Sequence, residues 1–159
     1  SEDIYAKVLV DKDSPYLKSI VLNKGSKNNV KLGMAIIDDN YLVGKIIEVN
    51  YTNSRALLLS DLNSKIPVLL EPIDIHAVVS GTGKNYGIIE YTKEEYNVEL
   101  NDREIVVYTS GYGGLFRSGL AVGKIIKDKK TKKNIVNFFS DFRQLDYVKI
   151  VSYEIGSGN

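Results

Sequence analysis

Apolar residues in this chain recur at every second position in short runs, and a turn cluster closes each run. Ile4, Ala6, Val8 and Val10 alternate with Tyr5, Lys7, Leu9 and Asp11. That period of two is the mark of a strand with one buried face. Asp13-Ser14-Pro15 breaks the run, as such residues do. The same pattern predicts strands at Ser19–Leu22, Met34–Ile37, Leu42–Val49, Ala56–Leu59 and Ile66–Leu70. Pro67 is expected at a strand start or on a sheet edge, because it has no N–H for a ladder. A second series follows at Ala77–Ser80, Gly87–Tyr91, Ile105–Tyr108, Val122–Ile126, Ile135–Phe139 and Tyr147–Val151. Gly87–Tyr91 is expected to form a hairpin with the strand before it. Helical periodicity is weak throughout; only Glu94–Leu100 and Asp141–Leu145 have room for a helical turn or two.

Short strands at close spacing, with turn signals between them, point to a sandwich or a barrel. Val43-Gly44-Lys45-Ile46-Ile47 recurs as Val122-Gly123-Lys124-Ile125-Ile126, each copy the fourth strand of its half. The prediction is therefore an all-β fold of two small six-stranded β-barrels packed together, with minimal helix. The first barrel takes residues 1–72, the second 73–155, and 156–159 is a flexible tail. Closing a ring of six short strands demands tight coiling, and glycine inside a strand marks a bulge or a close backbone approach. Gly44 and Gly123 occupy equivalent places. Gly33 and Gly119 each precede a strand, where a positive φ suits glycine. Gly25 and Gly111, in turn segments, complete the candidate structural glycines.

With 159 residues, 43% of them hydrophobic, the chain has enough apolar surface for a real core. Lys plus Arg is 21 against 20 for Asp plus Glu, a balance that gives no general pull toward nucleic acid. Cysteine is absent, which excludes disulfides and thiolate metal sites. No apolar run reaches the roughly 18 residues that span a bilayer. The chain opens on Ser1, so an anchor is expected only N-terminal to this stretch.

Two segments carry a family resemblance. The first runs Asn23-Lys24-Gly25-Ser26-Lys27-Asn28-Asn29-Val30-Lys31-Leu32-Gly33-Met34, then Leu42-Val43-Gly44-Lys45-Ile46, then Ser54 to Val68 with Ser60-Asp61-Leu62-Asn63-Ser64 at its centre. The second is Val107-Tyr108-Thr109-Ser110-Gly111-Tyr112-Gly113-Gly114-Leu115-Phe116-Arg117-Ser118-Gly119-Leu120-Ala121-Val122-Gly123. Both resemble signature blocks of the MreC family of bacterial cell-shape proteins. Arg117 stands where the family has proline, and Asn28-Asn29 where it has an Asp-Gly turn. The resemblance implies a non-enzymatic, extracytoplasmic β-domain of the wall-elongation complex, periplasmic and held to the inner membrane through an N-terminal segment. It implies no cofactor. It implies binding to the elongation transpeptidase, penicillin-binding protein 2, and association with MreD, MreB and RodA. It also implies a homo-oligomer or filament, built by edge-strand pairing or by packing of barrel ends. The alternative is a β-barrel adaptor of a membrane-fusion or efflux assembly.

Four features of the sequence bear on chemistry. His76 is the single histidine and Asp74 lies two residues before it. A triad with Ser110 would need all three together; a surface or interdomain histidine is the plainer reading. Gly81-Thr82-Gly83-Lys84 looks like the end of a phosphate loop, but position 78 is Val and position 85 is Asn, so a hairpin turn is expected. Lys127–Lys133 is a basic hairpin tip that suits either anionic lipid or plain solvation. In Tyr112-Gly113-Gly114-Leu115-Phe116, the residues Tyr112, Leu115 and Phe116 are candidates for a partner interface. The competing reading has Leu115 and Phe116 plugging a barrel end.

Overall fold

The computed structural model describes residues 3–10, 18–91, 104–114 and 116–152. Glu94–Leu100, Leu115 and the tail 156–159 lie outside the described residues. The strands are β1 (Ile4–Val10), β2 (Ser19–Leu22), β3 (Ala35–Asp38), β4 (Tyr41–Val49), β5 (Ser54–Leu58) and β6 (Lys65–Glu71). They continue with β7 (Ile75–Gly81), β8 (Tyr86–Tyr91), β9 (Val106–Thr109), β10 (Ala121–Lys127), β11 (Asn134–Phe138) and β12 (Tyr147–Val151). Among the described residues helix is confined to a single 3-10 turn at Ser26–Asn28; Tyr112–Gly114 is a tight turn with Gly113 and Gly114 at φ of 73° and 67°. Asp141–Leu145 forms a turn, not a helix, closed by the Gln144 N–H donating to the Asp141 carbonyl.

The pairings close two rings. One runs β4-β3-β12-β1-β2-β5 and back to β4; the other runs β10-β9-β6-β7-β8-β11 and back to β10. Every described strand is hydrogen-bonded on both sides. The fold is thus all-β, as the alternation predicts, but the chain is divided differently from the cut at residue 72. Strand β6 belongs wholly to the second ring, and the last strand, β12, returns to the first between β1 and β3. Sequence order suggests contiguous halves; strand pairing is non-local and overrides it.

That return reconciles the repeat. In chain order β4 is fourth in its ring and β10 is fifth in its own. When β12 is counted as the opening strand of the first ring, both rings have the same connectivity, and β4 and β10 become equivalent. The bulges agree. Ile36 pairs with Gly44 and Ile37 with Leu42, leaving Val43 as the extra residue. Val107 pairs with Gly123 and Tyr108 with Ala121, leaving Val122 as the extra one. The Val43 carbonyl then accepts from the Leu59 N–H, and the Val122 carbonyl from the Phe139 N–H.

Each ring fills its own interior. Ile20, Leu22, Ile36, Val43, Ile46, Leu58 and Ile150 pack inside the first. The core of the second continues through the junction, joining Ile66, Val68, Leu70, Val79, Val107 and Val122 to Ile37, Leu42, Leu59 and Val151. Strand β3 is therefore buried on both faces at Ala35-Ile36-Ile37, and its sequence reads as an unbroken apolar run for that reason. The rings touch along β4 and β10, which run parallel at Tyr41 and Ala121. The Tyr41 ring meets Phe139 at 5.0 Å, and the Ser140 hydroxyl donates to the Leu42 carbonyl.

Pro67 lies within β6 rather than at its start or on an edge. Its pair with Val78 faces β7, and pairing to β9 begins only at Val68. The Ser110 N–H donates to the Pro67 carbonyl, one pair beyond Val68–Thr109. The reciprocal bond of that pair is the one proline cannot donate, so the ladder to β9 stops there.

Candidate functional site

The loop from β9 to β10 is built around Thr109. Its buried hydroxyl donates to the Arg117 carbonyl at 2.6 Å and accepts from the Leu120 N–H at 2.9 Å. The Gly119 N–H donates to the Thr109 carbonyl at 2.8 Å. This neck is tied off by hydrogen bonds. Gly111 and Gly119 in it have φ of 76° and 86°, a region that favours glycine.

The loop's two described aromatic residues part ways. Phe116 is 2% exposed and packs into the core that the two barrels share. As an interface residue it is corrected: its ring is part of the core. Tyr112 is 74% exposed. Its N–H donates to the Ser110 hydroxyl at 3.2 Å. Leu115 lies outside the described residues. Arg117 keeps a structural part despite replacing a proline, since its guanidinium donates to the Ser152 carbonyl just past β12. The loop is thereby fastened to the first barrel.

Tyr112 and Gly113 form one wall of a groove of about 560 Å³. Pro67, His76, Ala77, Val78 and Ser110 complete its lining. Pro67 and Val78, paired across β6 and β7, present the apolar part of this lining, whereas the Ala77 side chain is buried in the core. Sequence reasoning gave no ground for placing Ser110 near His76; the structure puts both in this groove. Asp74, at a φ of 57° in the β6–β7 turn, is not among the groove's lining residues. Ser110 serves as a turn acceptor for the Tyr112 N–H. Among the described residues, no group of three or more His, Cys, Asp or Glu side chains is placed to hold a metal ion.

The other motif residues have structural places. Gly81-Thr82-Gly83-Lys84 is the β7–β8 hairpin turn, with the Thr82 hydroxyl donating to the Tyr86 carbonyl at 2.8 Å. Gly25 lies so close to Asn50 and Tyr51 that a Cβ would strike their carbonyl oxygens. Gly33 has a φ of 86°. Asp61 was missed as a residue in its own right. It is 2% exposed, and its carboxylate accepts from the Lys18 N–H and the Asn63 N–H, both at 2.7 Å. The signal lay in Ser60-Asp61-Leu62-Asn63-Ser64, since Asp bonds backbone two residues on. Here that turn carries the chain from one barrel into the other.

Two interlocked closed barrels, with a groove beside the Tyr112 loop, define an all-β double-barrel protein. The family model for the rod shape-determining protein MreC, barrel core, matches residues 8–152, and the chain belongs to this family. The cell shape-determining protein MreC of Cereibacter sphaeroides is 33% identical over 93% of this chain and 48% of its own length. The chain thus spans about half of that relative. The crystal structure of MreC from Pseudomonas aeruginosa matches with a TM-score of 0.80, 23% identity and cover of 96% of this chain and 100% of that one. MreC in its complex with a penicillin-binding protein from Helicobacter pylori matches at a TM-score of 0.66 and 16% identity, over 94% of this chain and 99% of that one. Family membership replaces the efflux-adaptor alternative. No described helix is long and apolar enough to cross a membrane.

Proposed function

We propose that this chain is the extracytoplasmic, non-catalytic scaffold of a cell-wall elongation complex, and that it docks penicillin-binding protein 2 in the groove beside Tyr112. The observation that carries this reading is the groove itself. A large exposed aromatic shares this groove with the apolar side chains of Pro67 and Val78. Tyrosine suits such surfaces because its ring supplies area at small entropic cost and its hydroxyl stays wet. The Helicobacter pylori complex supports the same class of partner. His76 and Ser110 then serve as polar rim groups. MreD, MreB and RodA complete the assembly on the strength of the family.

Self-association belongs to this proposal in one form. Because every described strand is paired on both sides, edge-strand addition has no free edge there. Copies would meet through barrel ends or faces. The test is capture of the purified transpeptidase by the wild-type chain and by Tyr112→Ala and Val78→Asp. Retained capture by both variants, with folding intact, rules out the groove.

A further inference from the structure

Outside the groove, one surface joins two features that no single segment of sequence shows together. Ile126 on β10 pairs with Ile135 on β11, and Ile135 pairs with Ile88 on β8. Directly paired residues share a face, and the next residue on β11, Val136, is buried inside the barrel. The three isoleucines therefore form a row across the outer wall, about 10 Å wide at ordinary strand spacing. Ile88 is 41% and Ile126 38% exposed.

Along the strands from the Ile126–Ile135 pair, just past Lys127 and Asn134, stands the β10–β11 hairpin tip. Lys127, Lys129, Lys130, Lys132 and Lys133 are all exposed on it. Asp128, the one acid, is spent on the turn. Its carboxylate accepts from the Thr131 N–H at 2.9 Å and the Thr131 hydroxyl at 2.7 Å. The Lys132 N–H donates to the Asp128 carbonyl and the Asp128 N–H to that of Lys133. The tip is a braced turn that holds five ammonium groups outward beside an aliphatic strip.

We propose that this surface docks on an anionic phospholipid membrane, the lysines meeting lipid phosphates and the isoleucine row lying against the interface. Charge decides the sign of the partner, since clustered lysines near a surface are drawn to anionic leaflets. The shape favours a fluid sheet over a folded protein. Protein interfaces center on anchors seated in pockets. None of the grooves described on this chain includes the hairpin tip or the isoleucine row. The proposal is independent of the transpeptidase groove, which lies on β6, β7 and the Tyr112 loop.

The experiment is flotation of the chain with vesicles of pure phosphatidylglycerol and of pure phosphatidylcholine. Binding is expected to phosphatidylglycerol only, and to weaken as salt rises. Replacing Lys129, Lys130, Lys132 and Lys133 by Ala should weaken it more than about tenfold. Ile88→Ser with Ile126→Ser should weaken it by about threefold or more at unchanged melting temperature. Ile88→Thr alone is the second variant should the pair fail to fold. Equal binding to both vesicles, no binding at low salt, or indifference to the lysine or the isoleucine changes would each overturn the proposal. Loss of transpeptidase capture in the lysine variant, with vesicle binding kept, would make this a protein surface instead.

Discussion

Gly44 and Gly123 are each pressed against the main chain of the next strand in their ring: a Cβ on Gly44 would land on the Leu57 carbonyl oxygen, and one on Gly123 on that of Asn137. Leu57 is the partner of Lys45, and Asn137 the partner of Lys124. The contact is thus the same contact, one residue past the bulged valine in both barrels. The bulge turns the strand inward, and only a residue without a side chain lets the neighbouring strand come that near. Gly44→Ala and Gly123→Ala should each cost about 1–3 kcal/mol or more, because backbone must move. Denaturant titration of both variants checks this. A midpoint unchanged in either would mean that the close approach is not needed for closure.

Asp61 makes a second prediction. Removing its carboxylate in Asp61→Ala leaves the N–H groups of Lys18 and Asn63 without that acceptor. A hydrogen bond to a charged group contributes about 1.5–3 kcal/mol. Urea unfolding should show a loss in that range. An effect within about 0.5 kcal/mol, the ordinary range for surface substitutions, would count against a bracing part for this turn.

Much of this architecture is legible in the chain. Ile4 to Val10 announces a half-buried strand by alternation alone, and Val43-Gly44 and Val122-Gly123 announce the duplication. Ring membership is not legible. Nothing in Tyr147-Val148-Lys149-Ile150-Val151 says that it pairs with β1 and β3 rather than with strands nearer in sequence. Local pattern specifies that a strand exists, whereas its partners are set by how all the apolar faces close together. The site divides in the same way. Tyr112 could be singled out as a large side chain among glycines, but its meeting with Pro67 and Val78 depends on pairing across β6, β7 and β9. Phe116 and Tyr112 look alike in sequence and end on opposite sides of the surface.

That divergence is testable. Phe116→Ala should cost about 3–5 kcal/mol, as large-to-small changes of buried aromatics do. Tyr112→Ala should stay within about 0.5 kcal/mol of the parent, since its ring is mostly in solvent. Thermal unfolding of the two variants side by side decides it. Similar losses for both would place Tyr112 in the fold's core economy and weaken its candidacy as a contact residue.

Burial, reinforced by the neighbouring Asp39 carboxylate, pushes the Asp38 carboxyl above its ordinary range. A raised folded value means that the folded chain holds this proton more readily than the unfolded chain. The resulting stability is complete below the unfolded value, about pH 4, and is lost as pH rises through the folded value. At neutral pH the charged form is therefore a small burden. Asp38→Asn should raise the melting temperature at pH 7, and the gain should shrink as pH is lowered toward about 4. A gain equal at both pH values would point to packing instead of charge.

The last strand offers the sharpest test of the ring topology. β12 sits between β1 and β3, with Ile4 opposite Ile150 and Ile36 on the other side of the same residue. The second ring, β6 to β11, is contiguous in sequence and contains no part of β12. Ending the chain after Asp146 removes Val148 and Ile150 from the first core and opens both β1 and β3 to solvent. Two unpaired strand edges and a missing core wall are more than a small barrel can absorb. Amide hydrogen exchange on the truncated chain should show protection lost in β1–β5 and kept in β6–β11. The reverse pattern would contradict the assignment of β12. Uniform loss would mean that the shared apolar junction, where Ile37 and Leu42 enter the second core, makes the two rings a single cooperative unit.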